Sequence, residues 1–293
     1  MRVLVTGGAG YIGSHVNLSL NEAGIKTIVI DNLTLGHKEL VVSGKFYEGD
    51  FGDVALLEHV FSSYDIDAVV HLAGSTDVDE SIEKPNLYYQ NNVGKTLTLL
   101  NVMKKYDVKK IVFSSTSAVY ADDLEGEVRE EGRVNPICPY ARSKLFIEQV
   151  LGDYREAYEM QYVVFRYFNA AGADPLGRIG EWHEPEVHLI PVVLDVAAGV
   201  RDHVKIFGTD YPTRDGTCVR DYIHVMDISR AHIRALEYLS KGGESGVFNL
   251  GYGSGYSVKE IVDTVRRVTK KEVKAIPSGR RKGDVATSIA DST

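Results

Sequence analysis

Several features that define other classes of protein are scarce or missing in this sequence. Only two cysteines, Cys138 and Cys218, occur in 293 residues, and their spacing suggests neither a metal site nor a disulfide framework, which favours a reducing cytoplasm and no bound metal. No apolar stretch is long enough to cross a bilayer, and MRVLVTGG enters a strand pattern directly instead of a signal sequence. The net charge of −8 argues against nucleic acid as a partner, so neither nucleic acid nor membrane is expected.

Strand-like and helical segments alternate through the first half of the chain. The apolar runs are RVLVT, TIVID, KFYEG, DAVVHLA, KKIVFSS and YVVFRYF, which predicts an α/β fold with a doubly wound, Rossmann-like parallel sheet. Further on, VKIFG and VFNLG are predicted strands, HLIPVVLDVAAG, DISRAHIRALEYL and SVKEIVDTVRRVTK are predicted helices, and DPLGRIGEWHEPE is a predicted loop. We therefore expect a large domain over residues 1–168 and a smaller mixed α/β lobe over residues 169–293.

A glycine-rich turn lies between the first predicted strand and the first predicted helix. Gly7, Gly10 and Gly13 stand in TGGAGYIG, where a missing Cβ lets a pyrophosphate approach and the free N–H groups of the helix start attract its charge. Asp31 ends the second strand, where a carboxylate accepts hydrogen bonds from ribose hydroxyls and repels a 2′-phosphate. The pattern therefore predicts NAD, in preference to NADP, as the cofactor.

A tyrosine, a lysine and a threonine form the predicted catalytic group. Tyr140 and Lys144 lie four residues apart on a predicted helix and so share one face, while Thr116 closes the strand KKIVFSST. A phenol normally ionises near pH ~10, and an adjacent ammonium is expected to lower its pKa until it can take a proton from an alcohol near neutrality. The same spacing recurs at Tyr106 and Lys110, which lack the hydroxyl-rich strand end and are expected to be structural.

Short motifs continue along nearly the whole chain: TGGAGYIGSH, DNL, NNV, SST, the Tyr140–Lys144 pair, RYFNAAGA, IFGTDYPTRDGTCVRDYIHVMD and RRKGD. Together they resemble the UDP-hexose 4-epimerases of the extended short-chain dehydrogenase/reductase family. The resemblance implies that Thr116, Tyr140 and Lys144 are catalytic. It implies cofactor contacts from Gly7, Gly10, Tyr11, Ile12, Gly13, Asp31, Asn32, Leu33, Gly36, Asp50, Phe51, Leu72, Ala73, Gly74, Asn91, Tyr140, Lys144 and Phe168. It implies nucleotide-sugar contacts from Thr116, Tyr140, Asn169, His188, Leu189, Phe207, Arg220, Arg281, Asp284 and Ser288.

The chemistry of several of these residues agrees with a nucleotide-sugar substrate. Arg220 and Arg281 offer the positive charge that a diphosphate needs, and arginine suits bidentate phosphate recognition, although either one alone is equally a solvated surface residue. Asn169 follows a predicted strand and is either a phosphate donor or a turn former. Asp50 either accepts from the adenine amine or ends a turn, and Phe207 either walls the uracil or fills a core.

The activity implied by the resemblance is the interconversion of UDP-glucose and UDP-galactose. Tyr140 takes the proton of the sugar 4-hydroxyl, the C4 hydride passes to bound NAD, and the 4-keto sugar turns over before the hydride returns to its other face. Ser117 and Ala118 follow Thr116 where related dehydratases place acidic residues, which lowers the dehydratase reading. Another NAD-dependent nucleotide-sugar epimerase or reductase, or an NAD-binding sensor without turnover, stays open as an alternative.

Three further expectations concern substrate range, assembly and chain length. Ser288 stands where family members limit the space around the sugar C2 substituent, so UDP-GlcNAc and UDP-GalNAc are also expected substrates. The family forms homodimers, and the same is expected here. Family members continue beyond ADST with further C-terminal helices, so the second lobe is expected to be shortened.

Overall fold

A computed structural model describes residues 1–121, 126–281 and 284–293 of the chain. The first half contains β1 (Arg2–Thr6), α1 (Tyr11–Glu22), β2 (Lys26–Asp31), β3 (Lys45–Glu48), α2 (Val54–Ser63), β4 (Ala68–His71), α3 (Val78–Glu83), α4 (Pro85–Tyr88), a π-helical turn (Tyr89–Gly94), α5 (Lys95–Lys105), β5 (Lys110–Thr116), β6 (Glu127–Val128), α6 (Pro139–Tyr158) and β7 (Gln161–Tyr167). The second half contains β8 (Asn169–Ala171), α7 (Leu189–Ala198), β9 (Val204–Phe207), β10 (Val219–His224), α8 (Val225–Ser240), β11 (Gly246–Leu250), β12 (Gly255–Ser257), α9 (Val258–Thr269), β13 (Ala275–Ser278) and β14 (Thr287–Ala290). Each segment predicted to be a strand or a helix is one.

The larger sheet fixes where a ligand can bind. Within the described residues it has seven strands in the order β11-β7-β5-β4-β1-β2-β3, and all neighbouring pairs are parallel. The strand order reverses between β1 and β4, and open sheets of this kind bind ligands at that reversal, beyond the carboxyl ends of the strands. The predicted doubly wound parallel sheet is confirmed.

Two apolar layers cover the faces of this sheet. Successive residues of a strand point to opposite faces, so Leu4 packs in one layer while Val3 and Val5 pack in the other. The first layer includes Leu57 of α2 and Leu99 of α5. The second layer joins α1 and α8 to the sheet. Because both faces are covered, the strands carry nearly continuous apolar runs, which is why they could be predicted from the sequence.

Each of the two sheets contains a strand from the other predicted domain. A smaller mixed sheet runs in the order β12-β10-β14-β6, and β8 also pairs with β10. Its strand β6 comes from the first 168 residues, whereas β11 comes from the second half and pairs in parallel with β7 of the larger sheet. The elements α8 and β11, which follow residue 168, pack with the larger sheet, and the division at residue 168 stays a prediction. Apolar periodicity could identify these elements but could not tell which sheet they join.

Among the described residues, no helix is both long enough and apolar enough to span a membrane.

Candidate active site

The three glycines of the first turn play different structural roles. Gly7 has φ +74°, and a Cβ there would lie 2.5 Å from the backbone nitrogen of Ala73. A Cβ on Gly13 would overlap the Gly7 carbonyl oxygen and lie 2.8 Å from the Gly7 carbonyl carbon. At Gly10, by contrast, the nearest atom to a Cβ would be the Gly7 oxygen at 3.6 Å. The fold itself requires Gly7 and Gly13, while Gly10 leaves space through which a ligand could approach.

The start of α1 is suited to bind an anion. Gly10 is its N-cap and provides no side-chain cap to the first helical N–H groups, so these donors remain directed at the turn. Tyr11 and Ile12 begin the helix, and the Tyr11 hydroxyl donates to the carbonyl oxygen of Gly172 at 2.6 Å. Burial, followed by the charges of Glu181 and Glu186, raises the pKa of Tyr11. Tyr11 therefore stays a neutral hydrogen-bonding group that links the turn to the second lobe.

Asp31 lies at the carboxyl end of β2 beside the glycine turn. Its Oδ2 accepts from the Ala9 backbone N–H at 2.9 Å and its Oδ1 accepts from the Leu33 N–H at 2.9 Å. Burial raises the pKa of Asp31 and outweighs these two hydrogen bonds. Leu33 has φ +58°, and Gly36 packs against Ala9, where a Cβ would meet the Ala9 Cβ at 2.9 Å. The chain after Asp31 therefore folds back onto the turn.

A second carboxylate, Asp50, continues this edge of the site. Its Oδ2 accepts from Lys95 Nζ at 2.5 Å and from the Asn32 amide at 3.3 Å, while its Oδ1 accepts from the Gly52 N–H at 2.8 Å. Burial raises the pKa of Asp50, but Lys95 and Gly52 together hold it below its usual value. Phe51, predicted to contact the cofactor, is 6% exposed and packs in the first apolar layer. Lys95 was missed by the sequence analysis because it lies on a helix start far along the chain.

The loop after β4 is held by asparagines of the π-helical turn. Leu72, Ala73 and Gly74 leave the strand, and the next residue, Ser75, accepts at its Oγ from the Asn91 amide at 3.0 Å. The buried Asn92 accepts from the Ser75 N–H at 2.8 Å and donates to the Ser75 carbonyl oxygen at 3.0 Å and to Ser143 Oγ at 2.9 Å. Asn92 thus connects this loop to the helix that carries the predicted catalytic pair. The motif NNV contains it, but only its neighbour Asn91 was predicted as a site residue.

Tyr140 and Thr116 come together at the carboxyl end of β5. Tyr140 is the second residue of α6, which Cys138 caps and Pro139 begins, while Thr116 is the last residue of β5. Burial raises the pKa of Tyr140 to about 12, a hydrogen bond with Thr116 lowers it, and the charge of Cys138 raises it. The expectation that Lys144 brings the Tyr140 pKa below its usual value is therefore wrong for this structure, because burial dominates.

Lys144 lies one helical turn beyond Tyr140 and is 2% exposed. Its Nζ donates to the Ser114 carbonyl oxygen at 2.9 Å and lies 5.0 Å from the centre of the Phe113 ring. Burial lowers the pKa of Lys144 to about 8. A Cβ on Gly74 would lie 3.5 Å from this Nζ, so the amine stands beside the loop after β4 that is predicted to contact the cofactor.

Tyr106 and Lys110 repeat the four-residue spacing of Tyr140 and Lys144 but do not share one helix. Tyr106 is the C-cap of α5 and its hydroxyl donates to the Glu58 carbonyl oxygen at 3.3 Å. Lys110 is the first residue of β5. The two residues therefore lie on different elements, at the opposite end of β5 from Thr116.

The predicted substrate residues are distributed over the smaller sheet. Asn169 begins β8 and its amide donates to the Asp221 carbonyl oxygen at 3.1 Å. Arg220 on β10 lies 3.4 Å from an oxygen of Asp284 and stands opposite Ser288 in the parallel β10–β14 pairing.

The remaining predicted substrate residues form two pairs, Phe207 with Arg281 and His188 with Leu189, while Phe168 is a predicted cofactor contact. The Arg281 guanidinium lies over the Phe207 ring, with 3.9 Å between its Cζ and the ring centre. Phe168 is 8% exposed and packs with Val119, Tyr120 and Ala290. His188 and Leu189 lie at the start of α7 and make different contacts.

Leu189 packs against the apolar cluster of α7 and α9. His188 Nδ1 contacts Glu186 Oε1 at 2.8 Å and Glu181 Oε1 at 3.0 Å. The Glu181 hydrogen bond raises the pKa of His188, burial lowers it, and the net shift is upward. His183 joins these three residues in one cluster. No metal was predicted from the sequence and this cluster was not singled out, although closely spaced His and Glu residues, as in EWHEPEVH, are the types that bind metal ions.

Fold and site define a dinucleotide-binding α/β protein with a Tyr–Lys pair at the carboxyl edge of its sheet. The chain belongs to the NAD dependent epimerase/dehydratase family, which it matches over residues 3–251. It is 53% identical over 292 residues to a UDP-glucose 4-epimerase of Halalkalibacterium halodurans, covering 100% of this chain and 87% of that protein.

Solved structures of other family members superpose closely. A UDP-glucose 4-epimerase from Brucella ovis in complex with NAD has a TM-score of 0.96 and 45% identity, covering 99% of this chain and 90% of that one. A UDP-glucose 4-epimerase from Bifidobacterium longum in complex with NAD+ and UDP has a TM-score of 0.93 and 40% identity, covering 100% and 90%.

Proposed function

We propose that this chain is a UDP-glucose 4-epimerase that interconverts UDP-glucose and UDP-galactose with NAD as its cofactor. The observation that carries the proposal is the Tyr140–Thr116 pair, which lies with Lys144 at the same edge of the sheet as the glycine turn. An alcohol-oxidising site needs a proton acceptor at the edge where the dinucleotide binds, and this arrangement provides one.

The residues around the glycine turn fit NAD. Space at Gly10 and the uncapped start of α1 suit a pyrophosphate, and the Asp31 carboxylate suits the hydroxyls of an adenine ribose while opposing a 2′-phosphate. Asn32 and Asp50 extend the polar surface on the adenine side. When bound, NAD supplies a hydride acceptor for the sugar C4 and, in its oxidised form, a positively charged ring.

The chain's own residues manage the proton of the sugar 4-hydroxyl. With a pKa raised to about 12, Tyr140 holds its proton at neutral pH and needs positive charge or donated hydrogen bonds to release it. Thr116 provides a hydroxyl at Tyr140, and Lys144, with a pKa of about 8, is still largely charged at neutral pH. We infer that Thr116 aligns the sugar oxygen and that Tyr140 takes and later returns its proton.

Inversion at C4 requires that the sugar turn over while its nucleotide remains fixed. Arg220 and Arg281, from β10 and the loop before β14, are the positive groups proposed to hold the diphosphate. Arg281 is held over Phe207, and Arg220 is near Asp284. Asn169 contributes an amide that donates to the Asp221 carbonyl oxygen on β10. Anchoring at these residues leaves the hexose free to present either face to the nicotinamide.

Two extensions of this proposal concern substrate range and assembly. Ser288 is a small residue opposite Arg220, so we infer that an N-acetyl group at the sugar C2 is accommodated and that UDP-GlcNAc and UDP-GalNAc are interconverted as well. We also infer a homodimer, as the family resemblance implies, and a cytoplasmic location, which the two cysteines without a disulfide framework favour. Assaying UDP-GalNAc beside UDP-galactose and measuring the mass of the native protein decide these points.

Replacing the proposed base tests the function directly. Tyr140→Phe keeps the ring and removes the hydroxyl, so we expect conversion of UDP-galactose to fall by about 10²–10⁴-fold while NAD released on denaturation stays at the wild-type level. Tyr106→Phe is the matched control, because its hydroxyl donates to the Glu58 carbonyl oxygen, away from the proposed site, and it should retain full turnover. Near-normal turnover in Tyr140→Phe would reject the assignment, and wild-type protein that binds NAD without converting UDP-galactose would favour the sensor or another nucleotide-sugar enzyme.

A further inference from the structure

Two histidines and two glutamates form a compact cluster on the segment between β8 and α7. Glu181, His183, Glu186 and His188 each offer one potential ligand atom, and these atoms all lie within 4.8 Å of one another. His183 Nδ1 is 3.3 Å from Glu181 Oε1 and 3.6 Å from Glu186 Oε2, and His188 Nδ1 is 3.0 Å from Glu181 Oε1. Four ligands at about 2.0–2.1 Å from a tetrahedral ion are separated by about 3.4 Å, so the spacing is close to that of a filled site.

The surroundings of the cluster leave a polar group unsatisfied. His183 Nδ1 is buried and has no hydrogen-bond partner among the described residues. Its nearest polar neighbours are Glu181 Oε1 at 3.3 Å and Glu186 Oε2 at 3.6 Å, so the carboxylates contact the ring nitrogen at ion-pair distances without forming a close hydrogen bond. A buried ring nitrogen without a partner is costly, whereas a metal ion at the centre of the cluster would satisfy it.

The charge of the cluster also calls for a cation. The Glu181 and Glu186 side chains are only 10% and 11% exposed, so two carboxylates share a partly buried space. Burying carboxylates is unfavourable unless positive charge compensates them. A divalent ion neutralises both, and the two imidazoles can then bind it in their neutral form.

We propose that Glu181, His183, Glu186 and His188 form a binding site for a divalent transition metal ion of the Zn²⁺ type. Two imidazole nitrogens and two carboxylate oxygens match the ligands of zinc, whereas Mg²⁺ and Ca²⁺ prefer sites made of oxygen alone. All four positions are supplied by the protein, so the ion is structural and takes no part in proton or hydride movement.

The contacts of the segment indicate what the ion stabilises. The His183 ring lies edge-on to Tyr11 at 6.2 Å between ring centres, and Trp182 stacks on His37 at 3.7 Å. The segment therefore rests on the start of α1 and on the loop after β2, while its last residue, His188, occupies the N-cap position of α7. A metal ion would fix this bridge between the first domain and the second lobe.

Trp182 allows the proposal to be tested in the intact protein. It is the only tryptophan in the chain and lies between two proposed ligands, so its fluorescence reports on the segment directly. Protein without a polyhistidine tag is dialysed against a chelator and titrated with Zn²⁺, and bound metal is counted by mass spectrometry after desalting. We expect one Zn²⁺ per chain, a saturable change in Trp182 fluorescence, and a higher melting temperature with the metal.

Matched variants separate this site from other metal binding. His183→Gln removes one ligand and should weaken Zn²⁺ binding by more than about 100-fold, while His203→Gln, the same substitution outside the cluster, should bind as the wild type does. Glu181→Gln provides a second variant if His183→Gln fails to fold. Co²⁺ should give the intense visible bands of a tetrahedral site in the wild type and lose them in both ligand variants.

Two results would overturn the proposal. One is wild-type protein that shows no saturable Zn²⁺ binding after chelation, which would make the cluster a hydrogen-bonded network. The other is equal Zn²⁺ affinity in the wild type, His183→Gln and Glu181→Gln, which would locate the metal elsewhere. Neither result bears on epimerase activity, since turnover of UDP-galactose and NAD content are measured separately.

Discussion

The glycines of the first turn allow the requirements of the fold to be separated from those of the ligand. A Cβ on Gly13 would overlap the Gly7 carbonyl oxygen, and backbone cannot move aside as a flexible side chain can. We expect Gly13→Ala to lower the free energy of unfolding by about 1–3 kcal/mol, the usual cost of overpacking. At Gly10 the nearest atom is 3.6 Å away and φ is −80°. Alanine is a poorer N-cap residue than glycine, which lowers the free energy of unfolding, but it also makes the unfolded chain less flexible, which raises it. Because these two effects nearly cancel, Gly10→Ala should change the free energy of unfolding by less than about 1 kcal/mol.

NAD binding, in contrast to stability, should be sensitive to substitution at Gly10. If a pyrophosphate approaches through the space at Gly10, a methyl group there blocks it, and Gly10→Ala should retain less NAD than the wild type despite normal stability. Gly152 lies inside α6 with no atom within 4 Å of a Cβ, so Gly152→Ala should stabilise the protein by about 0.5–1 kcal/mol and leave NAD unchanged. Urea unfolding and NAD released on denaturation measure both effects. Gly10→Ala with full NAD, or Gly13→Ala with wild-type stability, would refute this reasoning.

Two further predictions concern buried charges. Arg166 and Glu148 form an ion pair at 2.6 Å with side chains 7% and 6% exposed, so Arg166→Met should cost about 3–5 kcal/mol by leaving a buried carboxylate unpaired, and adding Glu148→Leu should recover much of it; additive losses in urea unfolding would contradict this. Burial lowers the pKa of Lys144 to about 8 from 10.5, so the unfolded chain binds more protons between these values. The free energy of unfolding should therefore rise with pH across this window, by up to roughly 3 kcal/mol. Lys144→Met should remove this rise, and identical pH profiles for the two proteins would show that Lys144 is not desolvated.

The sequence was sufficient to predict the large sheet because its strands are buried on both faces. Apolar runs such as RVLVT and DAVVHLA need no knowledge of distant contacts to be recognised. The strands β6, β8, β10, β12, β13 and β14 were not predicted. All of them except β10 have only two to four residues and too little periodicity to distinguish them from loops. The six residues of β10 were missed although buried and partly exposed positions alternate along it. Which sheet a strand joins is decided by packing, and β11 shows this, because its sequence is equally compatible with either lobe.

The residues of the proposed site could be predicted from the sequence, whereas their pKa values and hydrogen bonds could not. Thr116, Tyr140 and Lys144 could be selected because a strand end and a helical spacing bring them together. Their charges could not be predicted in the same way, because the pKa of Tyr140 depends on how deeply the ring is buried. Asn92 shows the same limit, since its hydrogen bonds join segments far apart in the chain.

Burial shifts the pKa values of three ionisable groups at this edge of the sheet, two acids and one base. It raises the pKa of Asp31 and of Tyr140 and lowers that of Lys144, so in each case it favours the neutral form. A dinucleotide carrying a positive ring and negative phosphates therefore enters surroundings in which charge is poorly solvated, and its own charges would shift these equilibria more strongly than they would in water. Because Tyr140 must lose a proton and Lys144 must keep one, the proposed chemistry depends on that shift. Cofactor binding and activation of the base are then two consequences of the same desolvated edge.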